Sequence, residues 1–234
     1  MTANDDYEKR LQAFALTRNF IQQQVDLGFD EVYTPLKSRK PAPKKEEVSF
    51  AANLGDFHQQ IKNCTKCRLG YSRTNFVFGV GDPHAKLMFI GEAPGREEDL
   101  QGEPFVGAAG QLLDRMLAAI QLKREEVYIA NMVKCRPPEN RDPQPDEIET
   151  CNPYLRHQIK LIQPQIICAL GRISAQALLQ TKSPLNQLRG RFHDFNGVKF
   201  LVTYHPAALL RYQDYKKPAW EDLKVLRKEY DRLG

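Results

Sequence analysis

The sequence predicts an α/β fold: a three-layer α/β/α sandwich around a central, mainly parallel, four-stranded sheet, with an N-terminal helical extension. Three observations carry this. Apolar runs of strand length alternate with longer runs of helical periodicity. A hairpin signal closes the series near the C-terminus. A proline- and lysine-rich stretch sets the N-terminal segment apart from the rest.

The elements follow in chain order. Tyr7, Leu11, Phe14, Ile21 and Val25 recur at helical spacing. Residues 1–30 are therefore an amphipathic helix that either docks on the main domain or takes a protein partner. Residues 31–49 carry Pro35, Pro41 and Pro43 among Lys37, Arg39, Lys40, Lys44 and Lys45, and read as an extended basic linker. The main domain spans 50–234. Its first strand, "KLMFI", leads into a loop crowded with glycines and acids, "GEAPGREEDLQGEPFVG". A helix begins near Ala108, with Leu112, Leu113, Met116, Leu117 and Ile120 on one face. "VYIANMV" then precedes a helix around "DEIETCNPYLRHQIKLI", and "QIICALG" precedes "RISAQALLQ". "RFHDFNGVKFLVTYHP" is a hairpin turned at Asn196-Gly197, its second arm ending at His205. Ligands of such sheets sit outside the carboxyl ends of the strands, where the glycine loop, Asn131 and His205 all fall.

Composition bounds the function. At 234 residues the chain holds one ordinary domain and an appendage. A net charge of +5 permits nucleic-acid binding without demanding it. The polar, acidic start "MTANDDYEKR" is unlike a secretory signal, and no apolar run approaches membrane-spanning length. A cytoplasmic protein with reduced or liganded cysteines is expected.

Cys64 and Cys67 form "CTKC", while Cys135 and Cys151 lie far downstream in a loop and near a helix start. Together they suggest one four-thiolate site. Zinc and an iron–sulfur cluster both accept four thiolates, although the wide spacing of the second pair is unlike a zinc ribbon. Cys168, inside an apolar strand, reads as a core residue.

The cysteine spacing, "GEAPGREED", "PFVGAAGQLL", Asn131 after the second strand and "HPAALLR" together resemble the family 4 uracil-DNA glycosylases, the iron–sulfur members of that superfamily. The match runs as ordered motifs over roughly residues 60 to 230. The resemblance implies a [4Fe–4S] cluster on Cys64, Cys67, Cys135 and Cys151, held for structure rather than redox turnover. It also implies excision of uracil from DNA to leave an abasic site, by an enzyme expected to be a monomer.

An enzyme acting on a base in DNA must extrude it, stack it, read its edge and stabilise it as it leaves. Phe105 offers the aromatic face. Asn131 offers an acceptor and donors that match N3–H and O4 of uracil, and would reject cytosine. His205 is a donor for the departing uracil anion. Leu209 and Leu210 are candidate wedges into the base stack, with Arg211 beside a phosphate and Arg189 and Arg191 adding backbone affinity. Better-known relatives carry a catalytic Asp where this chain has Ala93, a residue placed at the uracil pocket. Glu92 and Glu98 are then the remaining catalytic carboxylates, while Glu97, Asp99 and Glu103 read as solvated charges. Two rivals stand beside this reading. One is a non-catalytic iron–sulfur nucleic-acid-binding module of a polymerase or repair complex, which would need neither Asn131 nor His205. The other is a relative that traps uracil covalently through a histidine on an inserted loop, but "RPPENRDPQPDEIET" contains none.

Overall fold

The protein is described here from a computed structural model covering residues 3–26 and 50–233. The predicted linker, and residues 27–30 of the predicted helical segment, lie outside the described residues. Contacts divide the chain into two units, Met1–Val48 and Ser49–Gly234. In the first, helix α1 (Ala3–Asp26) leaves Phe14, Leu16, Phe20, Ile21 and Val25 exposed.

The second unit opens with α2 (Leu54–Ile61), where the Asn53 side chain accepts from the Asp56 amide at 2.8 Å and so caps the first turn. The short helix α3 (Leu69–Ser72) and strands β1 (Val80–Gly81) and β2 (Leu87–Gly91) follow. Next come α4 (Arg96–Gln101), α5 (Ala108–Ala119), β3 (Tyr128–Asn131) and α6 (Pro145–Ile162). The chain then forms β4 (Ile166–Leu170), α7 (Arg172–Leu179), α8 (Leu185–Leu188), β5 (Phe192–Phe195) and β6 (Val198–Thr203). It closes with α9 (Pro206–Arg211) and α10 (Lys216–Tyr230).

The sheet has six strands in the order β1-β3-β2-β4-β6-β5, not the four expected. The central four are parallel; β1 and β5 pair antiparallel at the two edges. β1 is only two residues long, too short for any periodic signal. β5 is the first arm of the predicted hairpin, with Asn196 and Gly197 both at positive φ in the turn. The fold class is as predicted, and the edges were undercounted.

Alternation along the parallel strands loads both faces with apolar side chains. Leu87, Phe89, Cys168 and Leu201 pack with Leu113, Leu117 and Leu223 from α5 and α10. Met88, Ile90, Ile167 and Phe200 pack with Leu155 and Leu178 from α6 and α7. Cys168 is thus the core residue expected. The connection leaving β2 runs to one side of the sheet, to β3, and that leaving β4 runs to the other, to β5 and β6. Loops that diverge in this way leave a crevice at the carboxyl ends of the strands.

Candidate active site

A cleft of about 360 Å³ occupies that crevice, large enough for a small ligand. Its lining comes from the loops after β2, β3 and β6, which bring together Glu92, Ala93, Glu98, Phe105, Asn131, His205 and Arg211. Residues more than a hundred positions apart in sequence therefore share one wall.

Asn131 ends β3 and is 1% exposed. Its Oδ1 is buried with no hydrogen-bond partner. Leaving such an acceptor unmet costs about 1–3 kcal/mol, so the site is built to receive a donor. The backbone on this wall is equally tight. A methyl group on Gly91 would overlap Asn131 Oδ1 and come within 2.6 Å of Phe105 Cζ. Gly91→Ala should force one of them to move, costing about 1–3 kcal/mol, with a matching fall in the thermal unfolding midpoint. An unchanged midpoint would contradict this packing.

Phe105 holds a left-handed backbone, φ 55°, which a bulky side chain rarely adopts. Two ties fix it. Glu98 accepts from the amides of Val106 (3.0 Å) and Gly107 (2.9 Å) through one oxygen and from Gly95 (3.1 Å) through the other. Arg124 binds the Pro104 carbonyl on the other side. Glu98 is therefore a buckle across the loop, its oxygens taken up by backbone amides. Asp99, expected in solvent, is 3% exposed and accepts from the Thr74 amide at 2.9 Å. The reason is the same: a carboxylate closes backbone donors that loops leave open.

His205 lies two residues beyond the end of β6 and caps α9, rather than ending the strand. Its Nδ1 accepts from the Ala207 amide at 3.2 Å, so the proton of the neutral ring sits on Nε2. Burial pulls the ring down to about 4; Arg211 reinforces this and Glu98 opposes it. At neutral pH it is an uncharged donor. Its ring lies 5.5 Å from that of Phe105, tilted by 34°.

Glu92 faces a different environment. Burial pushes its carboxyl up to about 7; the charge of Asp142 and a hydrogen bond with it add to the rise, and Arg172 counters. Asp142 lines the cleft with Asn140 and Arg141, and these three were not singled out from sequence. Their signal lay in the proline-flanked loop between the later cysteines, where Glu139 and Asn140 both take positive φ. Arg141 is bound by both oxygens of the fully buried Glu147 (2.7 and 2.9 Å), which anchors that loop to α6.

The remaining candidates separate. Leu209 is 3% exposed and belongs to the core, whereas Leu210 is 41% exposed. Arg211 lines the cleft. Arg191 is exposed just before β5 and is not among the lining residues. The structure does not bring Arg189 to the cleft either: its guanidinium binds both oxygens of buried Asp222 and the Pro218 carbonyl.

Behind the Asn131 wall, Cys135 and Cys151 are buried in a cluster with Phe57, Val133 and Tyr154, with half-buried Cys64 and Cys67 packed against it. All are free thiols. Polar groups are aimed at the sulfurs: Arg73 donates to Cys135 Sγ at 3.0 Å and the Tyr154 hydroxyl to Cys64 Sγ at 3.2 Å. Lys134 is fully buried beside them, and its Nζ donates to the Asn131 carbonyl at 2.9 Å. Burial pushes the Cys151 thiol up to about 12, with Lys134 opposing and Cys135 and Cys67 adding to the rise. Four sulfurs from three chain segments, with Arg73 and Tyr154 donating to two of them and Lys134 buried alongside, suit a group that binds thiolates. No group of three His, Cys, Asp or Glu side chains among the described residues is arranged for a single metal ion. No described helix is long and apolar enough to cross a membrane.

Comparison with known proteins identifies the family. The pattern of the uracil DNA glycosylase superfamily matches residues 78–224. A type-4 uracil-DNA glycosylase of Archaeoglobus fulgidus is 45% identical over 182 residues, covering 74% of this chain and 92% of that protein. One from Saccharolobus solfataricus is 46% identical over 184 residues, covering 75% and 85%. One from Thermotoga maritima is 44% identical over 155 residues, covering 65% and 81%. With the superfamily pattern covering most of the chain and relatives near 45% identity, the chain belongs to the uracil-DNA glycosylase superfamily and groups with its type-4 members.

Proposed function

We propose that the cleft excises uracil from DNA by hydrolysing the N-glycosidic bond, leaving an abasic site. The observation that carries this is the orphaned Oδ1 of Asn131, beside Phe105 and a neutral His205, in a cleft closed by strand-end loops. Uracil offers N3–H to that acceptor and O4 to the amide donors. Cytosine presents an acceptor at N3 and a donor at N4, so both contacts would be lost. Phe105 supplies the face on which the flipped base stacks. As the bond to the sugar breaks, its electron pair passes to uracil N1 and spreads to O2, where His205 Nε2–H donates. The sugar passes through an oxocarbenium-like state; Glu92 is the carboxylate positioned to stabilise it or to orient the water that adds there. Glu98 acts through the loop it fastens, and Leu210, the exposed leucine, is the wedge that holds the stack open.

Cys64, Cys67, Cys135 and Cys151 would hold a [4Fe–4S] cluster. When bound, it supplies a structural tie between distant segments, not electrons for the reaction. Support comes from the convergence of the four cysteines in one cluster and from the donors aimed at Cys64 and Cys135.

The test is excision from single-stranded, U·A and U·G oligonucleotides by freshly isolated protein, with iron and sulfide measured on the same sample. Release of free uracil and about four iron and four sulfide per chain are expected. Binding without release would favour the non-catalytic module, and stoichiometric zinc without iron would overturn the cluster assignment.

A further inference from the structure

Helix α9 carries the chain out of the cleft onto an exposed surface. Every residue from Leu210 to Lys217 is exposed, and Arg211, which lines the cleft, immediately precedes Tyr212. Two tyrosines dominate this stretch, Tyr212 at 55% exposure and Tyr215 at 37%. Their rings lie 5.3 Å apart at 49°. Tyr215 is fixed from behind: it stacks on Tyr204 with centroids 4.5 Å apart and planes 14° from parallel. Arg189 covers the Tyr204 ring at 5.1 Å, and is itself locked by Asp222. The Tyr215 ring is thus held in place before any ligand arrives, with Tyr212 resting against it, which lowers the entropy lost on binding. Around them Arg211, Lys216 and Lys217 outnumber the single acid, Asp214.

An exposed aromatic pair among cations, one ring of it fixed from behind, fits one kind of partner well. Aromatic faces stack on bases whose own faces are free, and cations follow the backbone. A duplex hides its base faces, whereas an unpaired strand presents them. We propose that Tyr212 and Tyr215 form a stacking platform for the single-stranded DNA next to the flipped nucleotide, continuing the cleft along α9. This rests on reading the cleft as a uracil-excising site.

The test uses the full chain and its Tyr212→Ala, Tyr212→Phe, Tyr215→Ala and Tyr215→Phe variants. Fluorescence anisotropy measures binding to uracil-free oligothymidylate and to a duplex of equal length. Loss of one stacked base should weaken single-strand binding at least about fivefold for each alanine variant, with much less effect on the duplex. The phenylalanine variants keep the ring and should bind like the parent; Tyr215→Phe serves if Tyr215→Ala fails to fold. On single-stranded uracil substrate the loss should fall on KM rather than kcat. Equal losses on single strand and duplex, or none on either, would overturn the platform, the second outcome pointing to a protein partner or no ligand. A parent that excises uracil while Tyr212→Ala binds normally sinks this inference alone. A parent that excises nothing but loses single-strand binding on Tyr212→Ala sinks the excision reading and leaves the platform standing.

Discussion

His205→Ala should slow uracil excision roughly 10²–10³-fold while changing affinity for uracil-containing DNA far less. The argument starts from the protonation state. A ring pulled down to about 4, with Nδ1 occupied by the Ala207 amide, is neutral at working pH and carries one usable donor, Nε2–H. That donor meets little charge while uracil is still bonded to the sugar. It meets a nearly full negative charge once the bond has broken, so its contribution falls on the transition state. Single-turnover cleavage and binding measure the two separately, with cluster content checked first. Stability supplies an independent reading. An unfolded histidine takes a proton below about 6.5, while the folded ring refuses one until about 4. The folded parent therefore loses stability as pH falls through that window, and the alanine variant should lose less. A variant that cleaves at nearly the parent rate would sink leaving-group stabilisation by His205.

Glu92→Gln should cost about 10²-fold or more and flatten the pH profile near neutrality. Glu92 is charged only above about 7, because burial and then the Asp142 carboxylate disfavour its ionised form. If the carboxylate form supports the sugar cation or orients water, the parent rate should climb through pH 7 and level off above it. The glutamine cannot ionise, so its rate should be low and show no such step. Asp142→Asn provides a second handle. Removing the neighbouring charge should let Glu92 ionise more easily and move the step to lower pH. Rates measured from pH 5 to 9 on the three proteins decide this. A step that persists in Glu92→Gln would assign the titration to another group.

Much of the scaffold was legible from local pattern. The β2 strand, the start of α5 at Ala108, the strand ending at Asn131 and the Asn196-Gly197 turn all fell where periodicity and turn chemistry placed them. Such elements answer to neighbours a few residues away, and a sequence displays those directly. The edge strand β1 did not show, because two residues carry no period.

By itself the sequence determined the fold class, and it singled out the four cysteines and the residues beyond the carboxyl ends of the strands: Phe105, Asn131, His205 and the glutamates. Only the tertiary structure decided what the charged and apolar side chains do there. Glu98 and Glu92 look alike in the loop, yet one is bound to three backbone amides and the other is buried beside Asp142. Leu209 and Leu210 are adjacent, but helix geometry turns one into the core and leaves the other in solvent. Arg189 resembled a phosphate contact until Asp222, far along the chain, claimed its guanidinium. The physical reason is common to all of these. A side chain's charge state and exposure depend on which distant groups the fold brings within a few ångströms, and that information lies in the packing rather than in the adjacent residues.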